Sequence, residues 1–182
     1  RQYQGRSYRA DINSAVDFND RLWSPIKKLK KKLPRRIVLE GNHEQRIERA
    51  LDMSPELVGA IGWKDLRYND YYDEEVRYTG MTPGVIDVDG VSYAHYFITG
   101  VSGRSISGEH PAYTILTKQF VSATQGHTHV LDYCERTRPD GGKLMGLICG
   151  VFQDYDSEWA GAELCKLWWR GVVIKRNVDD GA

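Results

Sequence analysis

A mixed α/β fold built from short elements is what this sequence predicts. Three observations lead there. Leu22, Trp23, Ile26, Leu29 and Leu33 recur at three- and four-residue spacing, which is one apolar stripe of a helix. "RRIVLE" is a brief β-rich run between a proline and a Gly-Asn turn. "GVIDVDGVSYAHYF" sets two runs of alternating residues on either side of Asp89-Gly90, the pattern of a hairpin. A chain of 182 residues is the size of one domain with a sizeable core, so 1–182 is read as a single domain.

Taken in order, "RQYQGRSYRAD" reads as a polar segment rather than the start of a fold. The chain begins with Arg1 rather than Met, and further residues upstream are expected. A helix is expected over 12–33, its lysines filling the solvent face near the end where cations suit the helix dipole, with Pro34 as the stop. "RRIVLE" is then a strand, "GNHE" the turn after it, and "QRIERALDM" a second helix. "SPELVGAIGW" is expected to start another, with Ser54 as cap and Pro55 at the first position. Residues 68–78 read as loop with an edge strand. The hairpin pairs Val85, Ile86 and Val88 with Val91 and Tyr93. "GVSGRSISGEHPA" is a Gly/Ser loop, a short helix covers 113–118, and "FVSATQGHTHV" is a strand running into a turn. Short strands and turns follow, ending on "LWWRGVVIKR", read as core and edge strand. No repeat or low-complexity segment interrupts this pattern.

Composition excludes several classes. Lys plus Arg equals Asp plus Glu at 25 each, so net charge gives no reason to expect tight nucleic-acid binding, and local clusters must carry any such argument. The three cysteines, Cys134, Cys149 and Cys165, are far apart and odd in number, which argues against a disulfide framework or a zinc knuckle and for a reducing, cytoplasmic setting. No apolar run reaches the roughly 18 residues that span a bilayer, and no signal-peptide pattern is present. No membrane partner is expected.

The chemistry concentrates in three short stretches. "GNHE", 41–44, puts Asn42 and His43 where a strand gives way to a helix, a place that suits turn chemistry as well as function. "GHTH", 126–129, puts His127 and His129 at i and i+2, on the same side of a segment read as extended. Imidazole is a common metal ligand, and two from one short loop supply part of a coordination shell. His95 stands at the end of the hairpin's second strand. Four of the five histidines lie in or near strand-end turns, where sheet proteins place functional residues; the fifth, His110, is in the Gly/Ser loop.

Read in order, "GNHE", His95 and "GHTH" resemble the calcineurin-like metallophosphoesterase family. The resemblance covers 37–174, and its two motifs stand about 80 residues apart. The closing "GLICGVFQDYDSEWAGAELCKLWWRGVVI" is similar to the tail of phage and bacterial members. The resemblance implies a two-sheet β-sandwich flanked by helices and a centre of two divalent metal ions. It implies that Asn42 binds one ion through its amide oxygen, that His95 and His127 bind the same ion, and that His129 binds the other. His43 would not be a ligand; it would face the phosphate and assist the leaving group or stabilise developing charge. Histidine, amide and carboxylate donors suit Mn²⁺, with Fe or Zn²⁺ as alternatives, better than Mg²⁺ or Ca²⁺. Two such ions roughly 3.5–4 Å apart clamp a phosphate and lower the pKa of a shared water.

The sequence also departs from that family. An Asp-x-His and a Gly-Asp-x-x-Asp motif ordinarily precede "GNH", and neither occurs here: no histidine precedes His43, and "RADIN" and "DFNDR" lack the Gly-Asp pair. Three readings follow. The first two strands and their ligands lie upstream of Arg1, making this the C-terminal major part of a domain; or a partner chain supplies them; or the domain is kept for binding alone. Many relatives also have glycine where Tyr96 follows His95, so Tyr96 adds bulk beside the metals.

The expected activity is metal-dependent phosphoester hydrolysis, favouring a phosphodiester and a phosphodiesterase or nuclease role. The alternatives are a catalytically silent binding or scaffold module and a phosphomonoesterase or protein phosphatase. "KKLKKKLPRR", 27–36, either holds a nucleic-acid backbone or is a solvated helix face, the second being the ordinary reading. Tyr68, Tyr71, Tyr72 and Tyr78 read as half-buried packing rather than a base-stacking platform, with the acidic "DEE" among them opposing a phosphate backbone. Arg104 and His110, in the loop after His95, are candidates to contact a substrate phosphate oxygen.

Overall fold

The structure, a computed structural model, describes residues 7–181. It is mixed α/β, with a five-stranded sheet, two two-stranded sheets and four α-helices among the described residues. The chain folds as two compact units, Arg1–Arg77 and Tyr78–Ala182.

In the first unit, helix α1 spans Tyr8–Leu29 and runs through Pro25 without stopping there. It takes in the end of the polar opening segment; residues 1–6 of that segment lie outside the described residues. Ser7 caps it, its hydroxyl accepting from the Ala10 amide at 3.4 Å. The helix starts and ends four residues earlier than the apolar stripe suggests, and the stripe only partly coincides with the face it buries. Ile12 and Asn19 are buried, Ala15, Val16, Trp23 and Ile26 partly so, whereas Leu22 and Leu29 are 40% and 82% exposed. Asn19 holds this face by polar contacts, donating to the Ala15 carbonyl at 3.0 Å and accepting from the Tyr72 hydroxyl at 2.7 Å. Strand β1, Ile37–Leu39, pairs in parallel with β2, Glu74–Val76. Between them come helix α2, Gln45–Met53, and three short 3-10 segments, Pro55–Leu57, Trp63–Leu66 and Tyr68–Asp70, the first of them where "SPELVGAIGW" suggested a further helix. Two glycines and the bridge-forming Val58 and Ile61 favour turns over a continuing helix there. The packing of this unit is aromatic: Trp23, Tyr72, Tyr68 and Trp63 meet edge to face in sequence at 5.6–6.0 Å between ring centres.

The second unit carries the sheet β3-β4-β7-β9-β8. Strands β3, Val85–Val88, and β4, Val91–Ala94, form the expected hairpin, with Val88 opposite Val91. Asp89 and Gly90 both have positive φ, 53° and 76°, as a type I′ turn requires. The Gly/Ser segment is more ordered than a loop: β5, Ile98–Thr99, and β6, Arg104–Ser105, pair as a small hairpin. Helix α3, Pro111–Gln119, leads to β7, Ser122–Gln125, followed by the β8–β9 hairpin, Leu131–Thr137 and Lys143–Cys149. β4, β7 and β9 are mutually parallel and central, with antiparallel β3 and β8 at the edges. The core, Ala94, Phe97, Ile106, Ala112, Ile115, Ala123 and Ile148, lies between α3, the sheet and the loop holding Ile106. α3 sits so close to β9 that a Cβ built on Gly146 would meet the Ala112 carbonyl oxygen at 2.4 Å.

After β9 comes the short helix α4, Gly161–Cys165. "GVVIKR" forms no strand; Val172 and Ile174 are 67% and 72% exposed, and just before it Arg170 makes an isolated bridge with Val151. Gly150, at φ +68°, lets the chain pass Trp169, since a Cβ there would sit 2.4 Å from the indole.

Candidate metal centre

Because β4 and β7 are parallel neighbours, the residues just past their carboxyl ends are brought together. Ala94 pairs with Gln125 in register, His95 follows the first, and Gly126 follows the second. The Gly126 amide donates to the His95 carbonyl at 3.2 Å. β9 ends beside them, and Cys149 Sγ lies 4.0 Å from where a Cβ on Gly126 would be. The carboxyl ends of parallel strands are where open α/β sheets place ligands.

At this point His127 Nδ1 and His95 Nε2 are 3.2 Å apart, with ring centres 5.1 Å apart. Tyr96 closes over both, its ring 4.8 Å from that of His127 and 5.7 Å from that of His95, with Tyr78 behind it at 6.3 Å. Two nitrogens at about 2.05 Å from one tetrahedral cation are about 3.3 Å apart. The observed separation therefore suits either two adjacent ligands of one ion or a direct hydrogen bond between one protonated and one bare ring nitrogen. Among the described residues no cluster of three or more His, Cys, Asp or Glu is arranged to hold a metal.

The "GHTH" segment is not extended. His127 and His129 have φ of 64° and 62°, left-handed values that cost a non-glycine residue on the order of 1–3 kcal/mol each. A tight turn joins them, the Thr128 amide donating to the Gly126 carbonyl at 2.7 Å. The simple i, i+2 rule fails here for that reason. His127 faces His95, while the His129 ring lies edge-on against Trp168, 4.4 Å between centres, and the His129 carbonyl accepts from the Trp169 amide at 2.9 Å.

Asn42 and His43 belong to the first unit, in the turn between β1 and α2. That turn is built rigidly. The Glu44 carboxylate accepts from the Gly41 amide at 3.0 Å, and buried Glu40 lies 3.6 Å from the Arg77 guanidinium, which also pairs with Glu48. His43 is exposed, yet desolvation by its surroundings, then the nearby Arg46 charge, hold its imidazole below the ordinary histidine value, with Glu44 partly opposing.

The two candidate phosphate contacts take ordinary places. Arg104 is an exposed residue of β6 whose carbonyl accepts from Thr99 Oγ1 at 3.2 Å. His110 is the residue before α3, its carbonyl accepting from the Thr114 amide and hydroxyl at 3.2 Å each. The Ala112 amide at that helix start is occupied by Asp132 Oδ2 at 2.9 Å.

Sequence reasoning passed over one charged group near the centre's strands. Lys175 Nζ donates to the Tyr93 hydroxyl at 3.2 Å and to Thr124 Oγ1, on the paired residues of β4 and β7, and lies 4.6 Å above the Tyr93 ring. Burial holds its ammonium below the usual lysine value, with Cys149 partly opposing. A segment read as an edge strand carried no signal for this. Among the described residues no helix is long and apolar enough to cross a membrane. Comparison with protein-family models, with curated proteins and with solved structures found no match to this chain.

Proposed function

We propose that this protein is a metal-dependent phosphoester hydrolase of the calcineurin-like metallophosphoesterase kind, acting as a phosphodiesterase or nuclease. The observation that supports it is the His95–His127 pair: two ring nitrogens 3.2 Å apart at the carboxyl ends of adjacent parallel strands, one presented from a left-handed backbone position. Strain of that kind gathers at functional sites because surrounding structure must enforce it.

In this reading His95 and His127 hold one divalent ion, Mn²⁺ or else Fe or Zn²⁺, and Tyr96 shields the pair on one side. The sequence resemblance adds Asn42 to that ion, His129 to a second, and His43 to the phosphate. When bound, the two ions supply charge neutralisation and a water acidic enough to attack at neutral pH. His43, with its lowered affinity for a proton, is neutral at pH 7 and accepts or donates a hydrogen bond there without adding charge. Arg104 and His110 are the remaining contacts to a phosphate oxygen, and a partner chain or further segment supplies whatever ligands the centre still needs. The two-sheet sandwich belongs to the same reading, with the five-stranded sheet as one of its layers, and the three free thiols suit the cytoplasm.

A second reading has its own observation. The 3.2 Å contact also suits a direct imidazole–imidazole hydrogen bond, as a silent binding module would keep. Hydrolysis of bis-p-nitrophenyl phosphate with added Mn²⁺ separates the two. Turnover that falls at least 100-fold in both His95→Ala and His127→Ala supports the enzyme; turnover indifferent to either substitution refutes the site, and none in any chain favours the binding module. A preference for p-nitrophenyl phosphate over the bis ester would move the assignment to a monoesterase.

A further inference from the structure

We infer that the lysine tract at the end of α1, residues 27–32, is a contact surface for the phosphate backbone of duplex nucleic acid. Naming duplex nucleic acid as the substrate class rests on the phosphodiesterase reading; the binding itself does not. The chain as a whole carries no net charge, yet five of these six residues are lysine, and all five are exposed. None of the five forms an ion pair among the described residues.

Two of the acids that would oppose a phosphate are already paired with arginines, and a third is hydrogen-bonded. Glu74 takes both Arg35 donors, at 2.5 and 2.8 Å, and Asp73 takes the Arg36 side chain at 2.6 and 3.1 Å and its backbone amide at 2.8 Å. Glu75 accepts from the Trp63 indole at 2.7 Å. The two arginines are thereby occupied, and the lysines remain as uncommitted cations. Lys27 is partly engaged over the Tyr71 ring at 5.7 Å, leaving Lys28, Lys30, Lys31 and Lys32.

The same packing decides between strand types. A single-strand binder needs aromatic faces for bases to stack on. Tyr71 is 2% exposed with its hydroxyl on Asp20, and Tyr68 and Tyr72 are edge-packed against each other, Trp63 and Trp23. Among the described residues none of these tyrosines is left as a stacking platform, so the contact is to backbone charge. The helix ends at Leu29 and Lys30 is extended, φ −117° and ψ 129°. The tract is thus at most about 13 Å long, a length over which a duplex presents about eight phosphate charges.

The test is fluorescence anisotropy of a labelled 20-base-pair DNA of random sequence with the full chain, in EDTA so that no metal-dependent hydrolysis intervenes. Four contacts predict a slope of log K against log salt of about −3.6, a loss of roughly 150-fold between 50 and 200 mM NaCl. Replacing all five lysines by glutamine flattens the slope to near zero, while replacing them by arginine keeps it. Lys30→Gln, Lys31→Gln and Lys32→Gln together, which leave α1 intact, reduce its magnitude by about 2.7. A parent chain that does not bind, or a glutamine variant with the parent's slope, overturns the inference; tighter binding to the single strand overturns the duplex assignment. The glutamine variants hydrolyse bis-p-nitrophenyl phosphate at the parent's rate. Lost hydrolysis in every chain with duplex binding intact would instead count against the phosphodiesterase reading alone.

Discussion

Gly146→Ala tests how α3 is seated on the sheet. The added Cβ would lie 2.4 Å from the Ala112 carbonyl oxygen, 3.1 Å from its carbon and 3.1 Å from Leu116 Cγ. The first two neighbours are backbone, which cannot rotate away. Carbon and oxygen in contact need about 3.2 Å, so α3 must move off β9 by several tenths of an ångström or more, close-packed interiors having no spare room. That movement would disturb Ala112, Ile115 and Leu116, which are 0%, 0% and 4% exposed. Overpacking of this kind costs about 1–3 kcal/mol, and the stiffer unfolded chain returns about 0.4–1 kcal/mol. A net loss of about 1–2 kcal/mol corresponds to a Tm lower by about 4–15 °C for a unit of this size. Thermal unfolding followed by circular dichroism measures it. A variant as stable as the parent, or more stable, would refute the placement of α3 against β9.

Asp132→Ala removes the carboxylate that accepts from the Ala112 amide; a loss of about 1 kcal/mol in urea unfolding is expected, with Asp132→Asn retaining part of it. The Asp73 carboxyl is held below the usual aspartate range, first by the Arg36 side chain and then by the Arg36 amide. A depressed folded value means that its stabilisation is present above the unfolded aspartate value and fades as pH falls through the folded one. Carbon-13 NMR should therefore show a midpoint below the ordinary aspartate value, and Arg36→Gln should raise it toward the unfolded one. Gly150→Ala, forced to φ +68° and against the Trp169 ring, should destabilise the segment after β9, read as a change in tryptophan fluorescence with lowered Tm.

What could be read from the sequence was what neighbouring residues decide. The 85–94 hairpin follows from alternation and from a turn pair that accepts positive φ; α3 was expected over 113–118, without the Pro111 start that the structure gives it. His95 and His127 could be placed at strand ends because each strand was visible on its own. The buried face of α1 could not: Asn19 is inside because Tyr72, 53 positions away, supplies its partner, while Leu22 stays 40% exposed. "GVVIKR" has strand composition but pairs with no strand among the described residues, and its Lys175 side chain instead reaches Tyr93 and Thr124 of β4 and β7. The turn of "GHTH" was hidden for a different reason, since histidine's enrichment among left-handed residues is too weak to announce one. Of the His95–His127 pair, therefore, the strand-end positions were legible and the orientation of the rings was not.

The central claim is that His95 and His127 are two ligands of one cation, and Mn²⁺ binding tests it most directly. Titration of the metal-free chain with Mn²⁺, followed by the loss of the free-ion EPR signal, should show a bound ion in the parent and at least tenfold weaker binding in either His95→Ala or His127→Ala. Parent and variants that bind Mn²⁺ alike, or a parent that binds none while the two imidazoles keep their mutual hydrogen bond by nitrogen-15 NMR, would contradict it.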